Sequence, residues 1–135
     1  DATGFAKGEI VSFDANGLAQ LADSTHEIGQ GFGVALETAS ASETNVRIAI
    51  GNTYVYVLAG EAIKPNFLVD VDATDGRAGQ HGNTADVTST VLFSDVNNVK
   101  DYFGRTVGRY IGHQLQEAAA TDAADGDVIA IRLGL

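Results

Sequence analysis

The order of apolar and polar positions along the chain predicts short β-strands. Glu9–Asp14 alternates, with Ile10 and Ser12 on one side and Val11 and Phe13 on the other. Asn16-Gly17 then predicts a hairpin turn, because both central residues of a type I′ turn need positive φ, and Leu18–Ala22 returns. Phe32–Thr38 is the next predicted strand. Asn45–Ile50 places Val46, Ile48 and Ile50 on one face and Arg47 on the other, a half-buried alternation. Gly51-Asn52 breaks it. Thr53–Leu58 follows with the aromatic and β-branched residues that suit a pleated surface. Lys64-Pro65-Asn66 spells a type II turn, since proline sets φ at the first central position and Asn tolerates positive φ at the second. Phe67–Asp72, Thr88–Phe93, Thr106–Gln114 and Asp127–Leu133 complete the set. Phe67, Val69 and Val71 are expected on one face of the first of these, and Ile129, Ile131 and Leu133 face inward in the last. Short strands separated by turn signals predict an all-β fold, a small sandwich or barrel.

The pattern is written twice. Lys7–Ala19 and Lys64–Ala78 each run from a turn through an alternating apolar stretch to Asp-Ala and a Gly turn. A second pair follows in the same order: Gly33–Ala39 leads to Ile48–Ile50, and Gly112–Ala118 leads to Ile129–Ile131. Lys7 to Lys64 is 57 positions, whereas Leu36 to Leu115 is 79. The jump places an insertion in the second of two similar halves, at about residues 80–106. That insertion holds the one candidate helix, with Ser94 as cap, Val96, Val99 and Phe103 on one face, and Gly104 as terminator. Two copies are too few for a solenoid. Asp75–Asp86 is Gly-rich and polar and reads as a loop. Residues 1–7 read as an N-terminal arm and 8–135 as a single β domain.

Composition narrows the classes. With 135 residues the chain has the length of one domain that buries its own core. It has no Cys, which removes disulfides, thiol catalysis and Cys-based zinc sites. No apolar run approaches the roughly 18 residues of a membrane span, so no membrane partner is expected. The net charge of −10 with only eight Lys and Arg argues against nucleic acid, whose phosphates need cations. Lys100, Arg105 and Arg109 put three of those eight within ten positions. They read as a solvated face or, more sharply, as a patch that meets an acidic partner. The chain contains no Met, so its start at Asp1 points to trimming, a cleaved leader or a sequence that begins part-way through.

Candidate chemistry is sparse. Asp70-Val-Asp72-Ala-Thr-Asp75-Gly76 looks like a calcium loop but has Asp75 where an EF-hand needs Gly and His81 where it needs Glu. It reads as a turn, as do Asp122, Asp125 and Asp127 around Gly126. His26, His81 and His113 show no metal-ligand spacing. Ser24-Thr-His-Glu27 spells a capping box with no helical run after it. Gly29-Gln-Gly31-Phe-Gly33 enters a strand, whereas a phosphate cradle needs a helix N-terminus. No nucleophile elbow, P-loop or dinucleotide fingerprint is present. A hydrolase built on a carboxylate pair is the weakest reading, because the sequence singles out no pair. Neither cofactor nor metal is expected.

From Ala6 to about Ala78 the chain resembles the small tailed-phage head-decoration (capsid cement) proteins of the lambda type. The likeness is carried by the opening strand and Asn16-Gly17 hairpin, Gly31-Phe-Gly-Val-Ala-Leu36, Val46-Arg-Ile-Ala-Ile50, Thr53–Leu58 and Ala62-Ile-Lys-Pro-Asn66. It covers roughly half the chain and rests on pattern, with no invariant motif. The insertion is a departure from the compact members. The resemblance implies a β-tulip-like, non-enzymatic domain, forming a homotrimer on the outer capsid surface and binding the major capsid protein. It also implies a capsid-binding arm, here Asp1, Ala2, Thr3, Gly4, Phe5, Ala6 and Lys7, that adds to the edge of capsid-protein strands with Phe5 as its large apolar anchor. A frayed terminus is the competing reading of the arm. The other functional class is a glycan- or surface-binding β-sandwich, for which Tyr54, Tyr56, Tyr102 and Tyr110 would supply stacking faces.

Overall fold

The computed structural model describes residues 4–23, 31–41, 45–80, 106–114 and 120–134. These residues form strands β1 (Ile10–Phe13), β2 (Ala19–Leu21), β3 (Phe32–Ala35), β4 (Ile48–Ala49), β5 (Thr53–Leu58), β6 (Leu68–Val71), β7 (Ala78–Gln80), β8 (Gly108–Gly112) and β9 (Val128–Leu133). Among the described residues there is no helix. The predicted strand at Thr88–Phe93, the candidate helix and nearly all of the insertion lie outside them.

The strands make two antiparallel sheets, ordered β2-β1-β3-β4 and β5-β9-β8-β6-β7. The echo in the sequence is therefore an echo in topology. β1 and β6 each pair with their hairpin partner on one side and with the third strand of their half on the other, and a fourth strand follows. β5 is added outside β9 and has no counterpart in the first sheet.

Each hairpin is closed by an aspartate. The Asp14 carboxylate accepts the N–H groups of Asn16 and Leu18, both at 2.8 Å, and the Asp72 carboxylate accepts that of Thr74 at 3.0 Å. Asp70 and Val71 end β6, and Asp72–Gly76 is the turn that the spelling predicts. Asn66 has φ 66° and the Phe67 N–H reaches the Lys64 carbonyl at 3.2 Å, the type II turn expected at Lys64-Pro65-Asn66.

The register of the second pair differs from the one the spelling proposes. Val11 lies opposite Gly33, and Val69, its echo, lies opposite Gly108, not Gly112. The likeness in letters is displaced four positions from the likeness in structure. The shared feature is steric. A Cβ on Gly33 would lie 2.8 Å from the Ala49 carbonyl oxygen, and one on Gly108 would overlap that of Arg132.

One core takes residues from both sheets. Ile10 and Val34 of the first sheet join Val55, Val57, Val69, Val71, Tyr110, Ile129, Ile131 and Leu133 of the second. Full burial of an aliphatic side chain stabilises by about 1.5–3 kcal/mol, and five of the largest here (Tyr110, Ile10, Ile63, Ile129, Ile131) are completely enclosed. The other face of the first sheet carries a smaller cluster of Phe5, Val11, Ala35 and Ala39.

Four expectations are corrected. The first hairpin turn is not the type I′ turn expected at Asn16-Gly17. Asn66 is the one non-glycine residue with positive φ among the described residues, and the Gly17 N–H closes on the Asp14 carbonyl at 2.9 Å, so Ala15 and Asn16 are the central pair and only Gly17 (φ 77°) is left-handed. Ala78–Gln80, taken as part of a loop, is a strand, because Val71 and Ala78 pair across the hairpin. Phe67 and Ile50, expected on buried faces, are 45 % and 63 % exposed. Phe67 closes the type II turn, and Ile50 precedes the reversal at Gly51 (φ 75°), so neither is in a strand.

Gly108→Ala is expected to cost at least the upper end of the about 1–3 kcal/mol typical of overpacking, because the obstacle is a main-chain oxygen. Ala at Gly17, which has open space and φ 77°, is expected to cost only the left-handed penalty of about 1–2 kcal/mol. Urea unfolding of the two variants checks the order.

Candidate functional site

β5 alternates strictly. Val55 and Val57 face the core, while Tyr54 and Tyr56 face out, 60 % and 43 % exposed. Leu36, at the end of β3, and Val128, at the start of β9, are also exposed apolar residues. Together with Lys7, Gly8 and Ala35 they line a groove of about 380 Å³ along the β5 edge. It is apolar, with Lys7 its one charged residue.

The main chain along this groove is open. The Leu58 N–H points away from β9 and donates to the Gly8 carbonyl at 3.1 Å. By the alternation of an antiparallel ladder, the N–H and C=O groups of Tyr54 and Tyr56 point the same way. Neither finds a hydrogen-bond partner among the described residues. The site therefore offers unpaired main-chain donors and acceptors beside apolar side chains, which is chemistry for binding an extended segment.

Of the expected arm, Asp1, Ala2 and Thr3 lie outside the described residues. Gly4–Lys7 lie on the domain and not free of it. Phe5 exchanges main-chain hydrogen bonds with Ala39 at 3.1 and 2.9 Å, the Lys7 N–H reaches Thr38 Oγ1 at 3.2 Å, and Phe5 is 7 % exposed within the smaller core cluster. Its ring is occupied inside its own chain. Of the expected basic patch, Lys100 and Arg105 lie outside the described residues. Arg109 is exposed on the outer face of β8, opposite Arg132 and Leu68, and its Nη1 donates to the Asn66 carbonyl at 2.6 Å. Of the four tyrosines proposed as stacking faces, Tyr54 and Tyr56 are exposed, Tyr110 is wholly buried and Tyr102 lies outside the described residues.

A hydrogen-bonded chain links Tyr110, His113 and Asp127. The Tyr110 hydroxyl donates to the Thr121 carbonyl at 2.6 Å and lies 3.2 Å from His113 Nδ1, and His113 Nε2 is 3.0 Å from Asp127 Oδ2. The same carboxylate oxygen accepts the Ala124 N–H at 2.9 Å. The order resembles a nucleophile–base–acid relay, but the hydroxyl is buried and its proton goes to a carbonyl. The network ties the segment between β8 and β9 to β8. The Ala124 N–H first, then the hydrogen bond and charge of His113, hold the Asp127 carboxyl below its ordinary value. Spacing did not reveal this pair, because the strand pairing of β8 and β9 brings together residues fourteen apart. Likewise Leu36 and Val128 meet only through the fold. Tyr54 and Tyr56 were expected as stacking faces together with Tyr102 and Tyr110, and the alternation of β5 is what sets the first two outward.

No family model, curated protein or solved structure matches the chain.

Phe5→Ala is expected to destabilise the isolated protein by about 3 kcal/mol, read from denaturant unfolding; a free arm would show no change. Asp127 gives a pH signature. Its folded pKa lies below the ordinary 3.8, so the unfolded chain binds more protons as the medium becomes acid. Its contribution is present above that value and lost as pH falls through the folded pKa. Asp127→Asn keeps an acceptor for Ala124 but removes the titration. Its urea midpoint should fall less steeply than that of the wild type below pH 3.8.

Proposed function

We propose that the chain is a non-enzymatic capsid decoration protein that binds the outer surface of an assembled viral head and bridges its capsomers. The observation that carries this reading is the apolar groove at the open β5 edge, on a domain whose net charge is −10. Such a surface binds an extended protein segment and repels nucleic acid. The sequence resemblance to head-decoration proteins supports it. Under this reading the major capsid protein is the partner, the assembly is a homotrimer, and Phe5 seats the N-terminal segment on its own domain. Binding only the assembled lattice stabilises it by RT ln(1 + [L]/Kd).

A second reading, a glycan-binding module, is favoured by one observation: Tyr54 and Tyr56 stand side by side on the outer face of β5.

The test is to mix the purified protein with heads of the virus that encodes it. Co-sedimentation, density on the outer surface by electron microscopy, and greater resistance of the heads to heat are expected. Light scattering should give a mass three times 14.0 kDa. Absence from purified particles would sink the proposal. Glycan-array binding lost in Tyr54→Ala would replace it with the second reading.

A further inference from the structure

We propose that β5 pairs with β5 of a second copy across a two-fold axis at Val55. The pairing does not depend on the capsid reading: it uses the same edge, so a second copy and a capsid segment compete for it and exclude each other on one protomer.

The edge itself calls for a cover. Among the described residues the other edge strands, β2, β4 and β7, have three, two and three residues, and β5 has six. β7 is also covered, since the Gly60 N–H donates to the Ala78 carbonyl at 2.9 Å and the Gln80 N–H to Glu61 Oε1 at 2.7 Å. Proteins guard long flat edges with charge, proline or bulges. Asn52–Leu58 carries none of these.

The same segment is complementary to itself. Tyr54-Val55-Tyr56 reads alike in both directions. A two-fold axis at Val55 sets Tyr54 opposite Tyr56 of the second copy. Those are the residues whose N–H and C=O groups point outward, so the pairs exchange four main-chain hydrogen bonds. Their rings meet as cross-strand aromatic pairs on the outer face. Val55 of each copy meets its equivalent on the inner face, above the groove floored by Ala35 and Leu36. Gly8, already bonded to Leu58, ends the ladder on each side.

Charge and area fit a second copy that binds weakly. Two chains of net charge −10 repel over most approaches, but Asn52–Leu58 carries no charge and Lys7 is the one charged residue lining the groove beside it. At 60 % and 43 % exposure, two tyrosines of about 150–250 Å² each offer on the order of 200 Å² per copy, which Leu36 and Val128 extend. That is well short of the about 800 Å² per partner of a standard interface. Geometry is therefore a better readout than affinity.

The chain has no cysteine, so a single introduced one reports the register. Equivalent Val55 residues would face each other in a non-hydrogen-bonded pair, with Cα atoms about 4.5 Å apart, within the reach of a disulfide. Equivalent Thr53 residues would be about 13 Å apart, four residues along the strand. Under mild oxidation Val55→Cys is expected to form covalent dimer at least tenfold faster than Thr53→Cys. Adding Tyr54→Lys should bring it down to the Thr53→Cys rate, with thermal unfolding checking that each variant is folded. Equal rates for the two cysteines, or no slowing by Tyr54→Lys, overturn the proposal. Should Val55→Cys not fold, Tyr56→Pro removes an outward N–H and leaves the bonds to β9. The wild-type sedimentation coefficient should then rise with concentration and that of Tyr56→Pro should not; identical behaviour overturns the proposal.

Discussion

The two sheets are tied at Gly76. Its N–H donates to the Ala22 carbonyl and its carbonyl accepts the Ile10 N–H, both at 2.7 Å, while the Ala22 N–H reaches the Ile10 carbonyl at 3.1 Å. The turn of the second hairpin is thus plugged into the mouth of the first. A side chain at this position would run into Leu21 and Glu9. Each bond contributes only about 0.5–1.5 kcal/mol, but their placement decides which faces meet. With the tie in place, Ile10 and Val34 lie in one core with Val69, Val71 and Ile131. The bond from Leu58 to Gly8 is a second link from the larger sheet to the smaller one's approach segment.

The acidity of the chain is partly architectural. Carboxylates of Glu9, Asp14, Glu37, Glu61, Asp72 and Asp127 each accept a main-chain N–H. Turns and strand ends in an all-β domain leave such donors unpaired; the short aspartates satisfy those within their own turns and the longer glutamates reach donors farther off. The two echoed aspartates do the same local work in different settings. The turn after Asp14 ends in Gly17, which has open space around it, whereas the turn after Asp72 ends in Gly76, which joins the sheets. A repeated spelling predicts a repeated turn, but not what the turn touches.

That distinction explains what could be read beforehand. β5 was legible from its run of aromatic and β-branched residues, and β9 from Ile129, Ile131 and Leu133 at every second position, signals that hold whatever surrounds the strand. The all-β class and the turns at Asp14 and Asn66 followed from local chemistry. β7 was hidden, because Ala-Gly-Gln has little strand propensity and is held by its pairing with β6. Burial of Phe5 was hidden too, since the seat formed by Val11, Ala35 and Ala39 comes from two separate stretches of chain. The groove has the same cause. Leu36 and Val128 look like ordinary strand residues, and only the meeting of β3, β5 and β9 leaves them exposed together.

The location of the groove follows from the topology. Four strands in the order β2-β1-β3-β4 repeat as β7-β6-β8-β9, and each repeat ends in a strand with a free side. In the first sheet that strand is β4, two residues long, with little main chain to leave unpaired. In the second it is β9, six residues long and rich in buried aliphatics, and β5 covers it along its full length. Covering β9 transfers the open edge to β5. The groove, the exposed tyrosines and the unpaired main-chain groups therefore gather on the strand that the repeat does not contain. The repeated strands build most of the core, and the added strand gives Val55 and Val57 to that core while its outer edge and Tyr54 and Tyr56 stay open among the described residues.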